Sequence, residues 1–423
     1  MWTKKSVLVL GLGVSLAFLG LVFRSLPLMM TSVMLLSYLL VSMFLVRVSR
    51  VVPARKISSE KLFEDGDVSV QLMLHNKRLT RTGFLEVRDK LPKQLDVREG
   101  SNYLILDMRG GEKATINYRF VAPLRGIYNI GPVSMRSQDV YALFYEEANV
   151  EDLQSVTVFP RVEDVKDITI KARSLKLYPG ATPVKRPGPG SEFFLVRDYL
   201  PGDPFKNINW KQYASKGKLL VNEHEVEAVS DVVIILDARE YSRYGTEAQN
   251  PIMFGARAAA TMTNFFLKRR DSVGLIVYGD KLLTIKQGSG QKQLFEVLTA
   301  LAGARSEGNL PFKGVVDYTA PFLPKRSPIM LISSLDGDDT IAEGVSTLRV
   351  LEYPVIIICP SSIEFELQAR AKTRQGIGDP LPYEILKLER DILLSDLRGY
   401  GANVIDWDPK TPLLAVLRET KRI

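Results

Sequence analysis

Cysteine and histidine are almost absent from this sequence: Cys359, His75 and His224 are the only ones in 423 residues. A single cysteine excludes an intrachain disulfide and a thiolate metal cluster. It follows the apolar run Val355–Ile358 and reads as a small buried strand residue. Two histidines in unrelated segments do not assemble with a nucleophile and an orienting group, so the chain is read as non-enzymatic. A nucleotide-binding loop is lacking too. Gly288-Ser289-Gly290-Gln291-Lys292 has its glycines too close together and Lys292-Gln293 where a Lys-Ser/Thr pair is needed, so it reads as a loop leading into a helix. The charge excess is small. A net +8, with Lys and Arg spread along the chain rather than massed in a stripe, excludes nucleic acid as the expected partner. What remains is globular in composition, 46% hydrophobic and 25% charged, and long enough for two or three domains.

Two uncharged apolar stretches open the chain, Ser6–Phe23 and Ser25–Val46. Each is near the roughly 20 residues that a membrane-spanning helix needs. Arg24 and Pro27 break them, which leaves a tight turn and predicts a helical hairpin over residues 1–50. Lys4 and Lys5 precede it, and Arg47, Arg50, Arg55 and Lys56 follow it, against Arg24 alone in the turn. The positive-inside rule then puts both ends, and everything after residue 50, in the cytoplasm of a cell-membrane protein. A signal peptide with a single anchor would put the soluble part outside instead; no small-x-small cleavage site follows Phe23. Gly11 and Gly13 are read as helix-packing positions.

Over residues 51–160 the pattern shifts to short alternating runs: Val68–Leu74, Phe84–Arg88, Tyr103–Leu106, Ala114–Val121 and Val156–Phe159. Asn76-Lys77, Gly110-Gly111 and Gly131-Pro132 punctuate them, and the spacing predicts a small antiparallel β-sandwich. A linker and signature segment spans 161–227. Its first part, to Glu192, is rich in proline and glycine and predicts an extended connector.

Residues 228–423 alternate apolar strands with helices. Strands are expected at Val232–Leu236, Val273–Tyr278, Ile329–Ile332, Val355–Cys359 and Val404–Trp407. Helices are expected at Ile252–Lys268, Gln291–Leu301, from about Thr340, and near Tyr383–Arg398. Such βα repetition predicts a parallel sheet covered on both faces, a Rossmann-like α/β domain whose ligands bind at the strands' carboxyl ends. Asp237 and Asp336 each follow an apolar strand there. Together they offer oxygen ligands to a hard divalent cation, or cap the next helices, or lie in hydrated loops.

The stretch Gly190–Glu227 carries Gly190-Ser191-Glu192-Phe193, Arg197-Asp198-Tyr199, Pro201-Gly202-Asp203, Ile208-Asn209-Trp210 and Glu223-His224-Glu225. It resembles the hallmark of the domain of unknown function 58 family: arginine-x-tyrosine, glycine-aspartate and isoleucine-x-tryptophan. The hairpin, Arg125-Gly126-x-Tyr128 and Asp139-x-Tyr141-x-Leu143-Phe144 resemble the usual layout, and Asn209 stands where an aspartate is common. This resemblance implies a von Willebrand factor A-like fold for residues 228–423 and pairing with a MoxR-type AAA+ ATPase. In von Willebrand A domains a metal-ion-dependent adhesion site uses aspartate-x-serine-x-serine, a threonine and a late aspartate. Here Asp237 matches, both serines are missing, Arg239 adds a cation, and Asp336 aligns with the late aspartate. A degenerate site is implied: no cofactor is expected, and Mg²⁺ is the ion such a remnant would take.

The signature also has a direct physical reading. Arg197, Asp198 and Asp203 suit charge-assisted pairing, Gly202 a tight turn, and Trp210 the burial of a large ring. Glu223, Glu225 and Glu227 alternate and would share one face of an extended segment. With Tyr199 they make the segment either structural cement beside the sheet or a partner site. For the whole chain the expectation is a membrane-anchored adaptor or scaffold, in contact with the bilayer and an ATPase. The alternative is a surface adhesion protein using the same α/β domain.

Overall fold

The computed structural model describes residues 2–45, 51–79, 81–82, 84–139, 141–165, 184–226, 231–371 and 381–419. Two compact units emerge, Met1–Phe159 and Pro160–Ile423. Two apolar helices open the first, and each unit then builds its own sheets. Arg47, Arg50 and Glu227, named above, and residues 166–183 of the proline- and glycine-rich connector lie outside the described residues.

Helices Lys4–Val22 and Leu26–Leu45 are each long and apolar enough to cross a membrane. Arg24, at φ +47°, makes the turn between them. The pair is close. A Cβ on Gly13 would meet Leu36 at 2.9 Å, and one on Gly20 would meet the Met29 side chain at 2.8 Å. Ser32 Oγ spans the gap to the Gly13 carbonyl at 2.7 Å. Gly13 is thus a packing glycine, whereas Gly11 faces open space. Thr3 starts the first helix, and its hydroxyl donates 2.9 Å bonds to the Ala142 and Leu143 carbonyls. Leu143 and Phe144 pack against Leu39, so Asp139-x-Tyr141-x-Leu143-Phe144 seats the loop on the foot of the hairpin.

The β part of this unit holds two antiparallel four-stranded sheets. Their inner faces share one core; in strand Gly66–Asn76 the alternating Val68, Val70, Leu72 and Leu74 are all buried. A three-stranded sheet departs from the purely antiparallel expectation, because Gln154–Phe159 runs parallel to Lys61–Phe63. A second difference concerns Arg55. It is not a cationic flank of the second helix but a buried core residue, its Nε and Nη2 bonded to the two Asp89 oxygens at 3.0 and 2.6 Å. Tyr118 donates to the same carboxylate at 2.8 Å.

In the second unit the long strand Val184–Asp198 pairs antiparallel with Leu220–Val226. Pro187 and Pro189 therefore lie inside a strand rather than in a free connector. The register shifts three times along the pair, and two of the shifts, between Val184 and Pro187 and between Gly188 and Phe193, fall at prolines that have no amide to donate. A six-stranded sheet follows: Asp231–Asp237, Ser272–Tyr278, Leu282–Gly288, Ile329–Ile332, Val355–Pro360 and Asn403–Trp407. Numbered in chain order, these lie in the spatial order 3-2-1-4-5-6. Five are parallel, and the edge strand Leu282–Gly288, unforeseen from the sequence, is antiparallel. Helices Phe312–Thr319, Ile341–Val350 and Leu381–Gly399 pack on one face, against Val233, Ile235, Leu331 and Ile357. Helix Pro251–Lys268 lies on the other, where Gly255 brings its backbone down onto Leu236 and Ile332. The Gly288 loop does lead into a helix, Gly290–Gly303, whose Gln293 donates to the Val273 and Lys286 carbonyls at 2.7 and 2.9 Å.

Candidate functional site

The strand order reverses between Asp231–Asp237 and Ile329–Ile332, and ligands of open α/β sheets bind in the crevice at the carboxyl ends of such strands. Asp237 ends the first of these strands, and the loop Ser333–Asp338 follows the second. Arg239 lies between them and is almost wholly buried. Its Nε and Nη2 donate to the two oxygens of Asp237 at 3.0 and 2.7 Å. Its Nη1 stands 3.0 Å from Asp338 Oδ2, and the guanidinium lies 5.6 Å from the Tyr278 ring centre. Burial opposes this charge, and the carboxylates more than offset burial, holding the guanidinium above its ordinary value.

Every carboxylate oxygen of Asp237 and Asp338 has an assigned donor. Ser333 Oγ donates to Asp237 Oδ2 at 2.6 Å and accepts the Leu335 amide at 2.9 Å. Asp338 accepts from the Thr340 amide and hydroxyl at 2.9 and 2.6 Å, and from the Phe312 amide at 2.8 Å. A divalent ion at Asp237 would have to displace the guanidinium from both carboxylate oxygens. Asp237 therefore does not fit a cation site as it stands, and no group of three acidic, His or Cys residues able to hold an ion occurs among the described residues. Asp336 lies close enough to Asp237 for the two carboxylates to repel each other. Its Oδ2 is buried without a hydrogen-bond partner; burial raises the carboxyl's pKa, and the neighbouring Ser334, Ser362 and Arg390 pull it only partly back.

The signature segment forms a second cluster. Arg197 makes a bidentate pair with Asp203 at 2.8 and 2.7 Å, and its Nε donates to Glu223 on the paired strand. The guanidinium, helped by the Leu200 amide at 2.8 Å, holds the Asp203 carboxyl below the usual range. Leu200-Pro201-Gly202-Asp203 is a turn closed by the Asp203 amide on the Leu200 carbonyl at 3.1 Å, with Gly202 at φ +111°. Asp198 contributes its carbonyl, not its carboxylate, to Arg197. Asn209 caps helix Trp210–Lys216 by accepting the Gln212 amide at 3.1 Å, while its amide donates to Asn222 at 2.9 Å. An aspartate there could cap but could not donate. Glu225 lies on strand Leu220–Val226, paired with Pro187.

Trp210 corrects an expectation. The residue is 58% exposed, its ring edge-on to Tyr213 at 6.1 Å. Phe205 is 73% exposed and stacks on Tyr199 at 6.4 Å. Polar ties thus hold the segment in shape, and its large rings face outward.

The family match begins in that segment. Residues 195–349 match the model described as "Protein of unknown function DUF58". The DUF58 match begins at the end of the long signature strand and runs through strand Ile329–Ile332 to the helix after it. The uncharacterized protein YeaD of Bacillus subtilis (strain 168) is 21% identical over 261 residues, covering 61% of this chain. The aligned part spans 63% of that relative's length. Among solved structures, the cupredoxin domain of amoB from Nitrosocaldus yellowstonii covers 30% of this chain and 95% of its own, at 10% identity and a TM-score of 0.21. A non-cellulosomal cohesin from Archaeoglobus fulgidus covers 25% and 90%, at 13% identity and a TM-score of 0.17. Likeness at that level supports no argument.

Sequence reasoning singled out Asp237, Arg239 and Asp336 but not Asp338, which completes the Arg239 cluster, nor Arg390. The signal for Arg390 was available: it sits in the helical spacing of Leu393, Leu394 and Leu397, a charge on an inward face. Cys359 is buried, with Arg390 Nη2 2.9 Å from its sulfur, and burial pushes its thiol up to about 12. A thiol held there is protonated at neutral pH and a poor nucleophile.

Proposed function

We propose that this chain is a membrane-anchored, non-enzymatic adaptor or scaffold that docks a cytoplasmic MoxR-type AAA+ ATPase in the assembly or maturation of other proteins. In this reading the six-stranded domain is von Willebrand A-like, the apolar helices are the anchor, and both soluble units face the cytoplasm. The outward display of Phe205, Trp210 and Tyr213 on a segment braced by Arg197, Asp203 and Glu223 carries the proposal. Exposed aromatics on a pre-organised scaffold are the usual anchors of protein interfaces, whereas a purely structural segment would bury them.

The test is in-cell crosslinking of the full-length protein with identification of what co-purifies. Recovery of an AAA+ ATPase from native protein, reduced at least tenfold for Trp210→Ala, is the expected result. Because Trp210 is mostly exposed, the substitution should leave stability within about 0.5 kcal/mol. Recovery of extracellular components alone, with a C-terminal topology reporter outside, would replace the adaptor by the adhesion reading.

A further inference from the structure

A groove of about 950 Å³ opens beside the Arg239 cluster, between the loop Ser333–Asp338 and helices Ser362–Ala371 and Leu381–Gly399. Its size is within the roughly 300–1,000 Å³ of small-ligand sites. Three of the buried polar atoms that have no hydrogen-bond partner lie in its lining: Asp336 Oδ2, Ser334 Oγ and Arg390 Nε. Native structures seldom leave such groups unmet unless something else meets them. A smaller concavity in the first unit, about 480 Å³ and lined by Lys56, Glu99 and Arg119 among others, contains none of these atoms.

Charge decides what fits. Five carboxylates line the groove against two guanidinium groups, Arg370 and Arg390. Both guanidiniums are engaged. Arg390 donates to the Ser334 and Cys359 carbonyls and to Asp406 at 3.1, 2.9 and 2.8 Å, and Arg370 donates to Glu366 at 2.9 Å. Asp338 is taken by Arg239. That leaves Asp336 at the floor, with Asp339 and Glu389 exposed at the rim. The walls between floor and rim are aromatic and aliphatic: Tyr241 and Tyr244, 6.2 Å apart, then Tyr383, Leu386 and Leu393. Gly337, at φ +65°, is what lets the Tyr241 ring lie on the loop, since a Cβ there would meet that ring at 2.5 Å.

We infer that this groove binds an alkylammonium or guanidinium cation carried on an aliphatic stem, with Asp336 and Ser334 receiving its N–H donors and the tyrosine wall lying against the stem. Such a cation meets two of the three orphaned atoms, adds the positive charge the lining lacks, and gains cation–π contact. The chemistry is that of a lysine or arginine side chain on a polypeptide, or of a free polyamine.

Calorimetric titration of the full-length protein in detergent micelles tests this with three probes: the tripeptide Ac-Gly-Lys-Gly-NH₂, its norleucine counterpart and spermidine. Saturable binding of the lysine peptide, at least tenfold tighter than the norleucine peptide and weakened at least tenfold by Asp336→Asn, is expected. The rim variant Asp339→Asn/Glu389→Gln should weaken binding severalfold and flatten its salt dependence; it touches no buried group, so folding is not at issue. Spermidine binding without peptide binding would support the cation site and assign the free polyamine. Equal binding of both peptides, indifference to Asp336→Asn, or no saturable binding of either cation would overturn the inference.

Discussion

Arg239 shows how one side chain can redefine a site. Asp237 and Asp338 come from different strand ends and would repel each other if unpaired; the guanidinium bridges them from inside the protein. Removing one member of a buried ionic cluster typically costs about 3–5 kcal/mol, because the remaining charges stay buried. Arg239→Ala should be destabilised by that order in a denaturant melt. It should also acquire something the native protein lacks, a rise in melting temperature with millimolar Mg²⁺, since two carboxylates would then face a cation-sized gap. A melt indifferent to Mg²⁺ would mean that the guanidinium is not standing where a cation could. Asp336 behaves oppositely. Burial raises its carboxyl above the ordinary 3.8, with Ser334, Ser362 and Arg390 pulling it partly back. Below the unfolded value, about 3.9, the group is protonated in both states and contributes nothing. As pH rises from there towards the raised folded value, the unfolded carboxyl ionises while the buried one stays protonated, so stability falls across that window and then levels off. Asp336→Asn should therefore melt above the native protein at pH 7 and level with it near pH 3. A gap that persists in acid would point to packing rather than charge.

At the scale of elements, what could be read from the sequence depended on how each segment buries its residues. Strands Asp231–Asp237 and Val355–Pro360 are apolar on both faces, and the alternation in Gly66–Asn76 matches a sheet buried on one. Edge strand Leu282–Gly288 has neither pattern, being buried on neither face, and was not legible. Helix Leu381–Gly399 shows a different limit. Leu381, Ile385, Leu388 and Ile392 are exposed at helical spacing, while Leu394 and Leu397 on the inward side are buried, so apolar periodicity alone does not say which face meets the sheet. The signature was legible as a pattern, and its Arg197–Asp203 pairing as chemistry. The exposure of Trp210 was not, because nothing in a sequence says whether a large ring is core or anchor. Helix Trp210–Lys216 depends on its cap. Asn209→Ala should cost about 0.5–2 kcal/mol and speed hydrogen exchange at the Gln212 amide, while Asn209→Asp should keep that amide protected and lose only the bond to Asn222. Equal loss of protection in both variants would show that the Asn222 tie, not the cap, holds the helix.

On the scale of the whole molecule, the placement of Arg55 joins the question of anchoring to that of stability. Counted as a flank of the second helix, it would help set orientation. Bonded to Asp89 and to the Ile130 and Asp152 carbonyls inside the β unit, it is a structural cation with no free charge to offer the membrane surface. Arg55→Met should therefore leave topology unchanged and cost about 3–5 kcal/mol, by stranding Asp89 in a core. Each unit has its own core, and chains of several domains need not unfold in one step. The tryptophans allow the two to be followed separately. Trp407, buried with its Nε1 donating to Thr411 at 2.8 Å, reports the second unit, while Trp2 lies against Phe144 in the first. In Arg55→Met the transition of the β unit should move to lower temperature while the Trp407 transition stays in place. If both move together, the cores unfold as one cooperative body; if a topology reporter also inverts, Arg55 orients the hairpin after all.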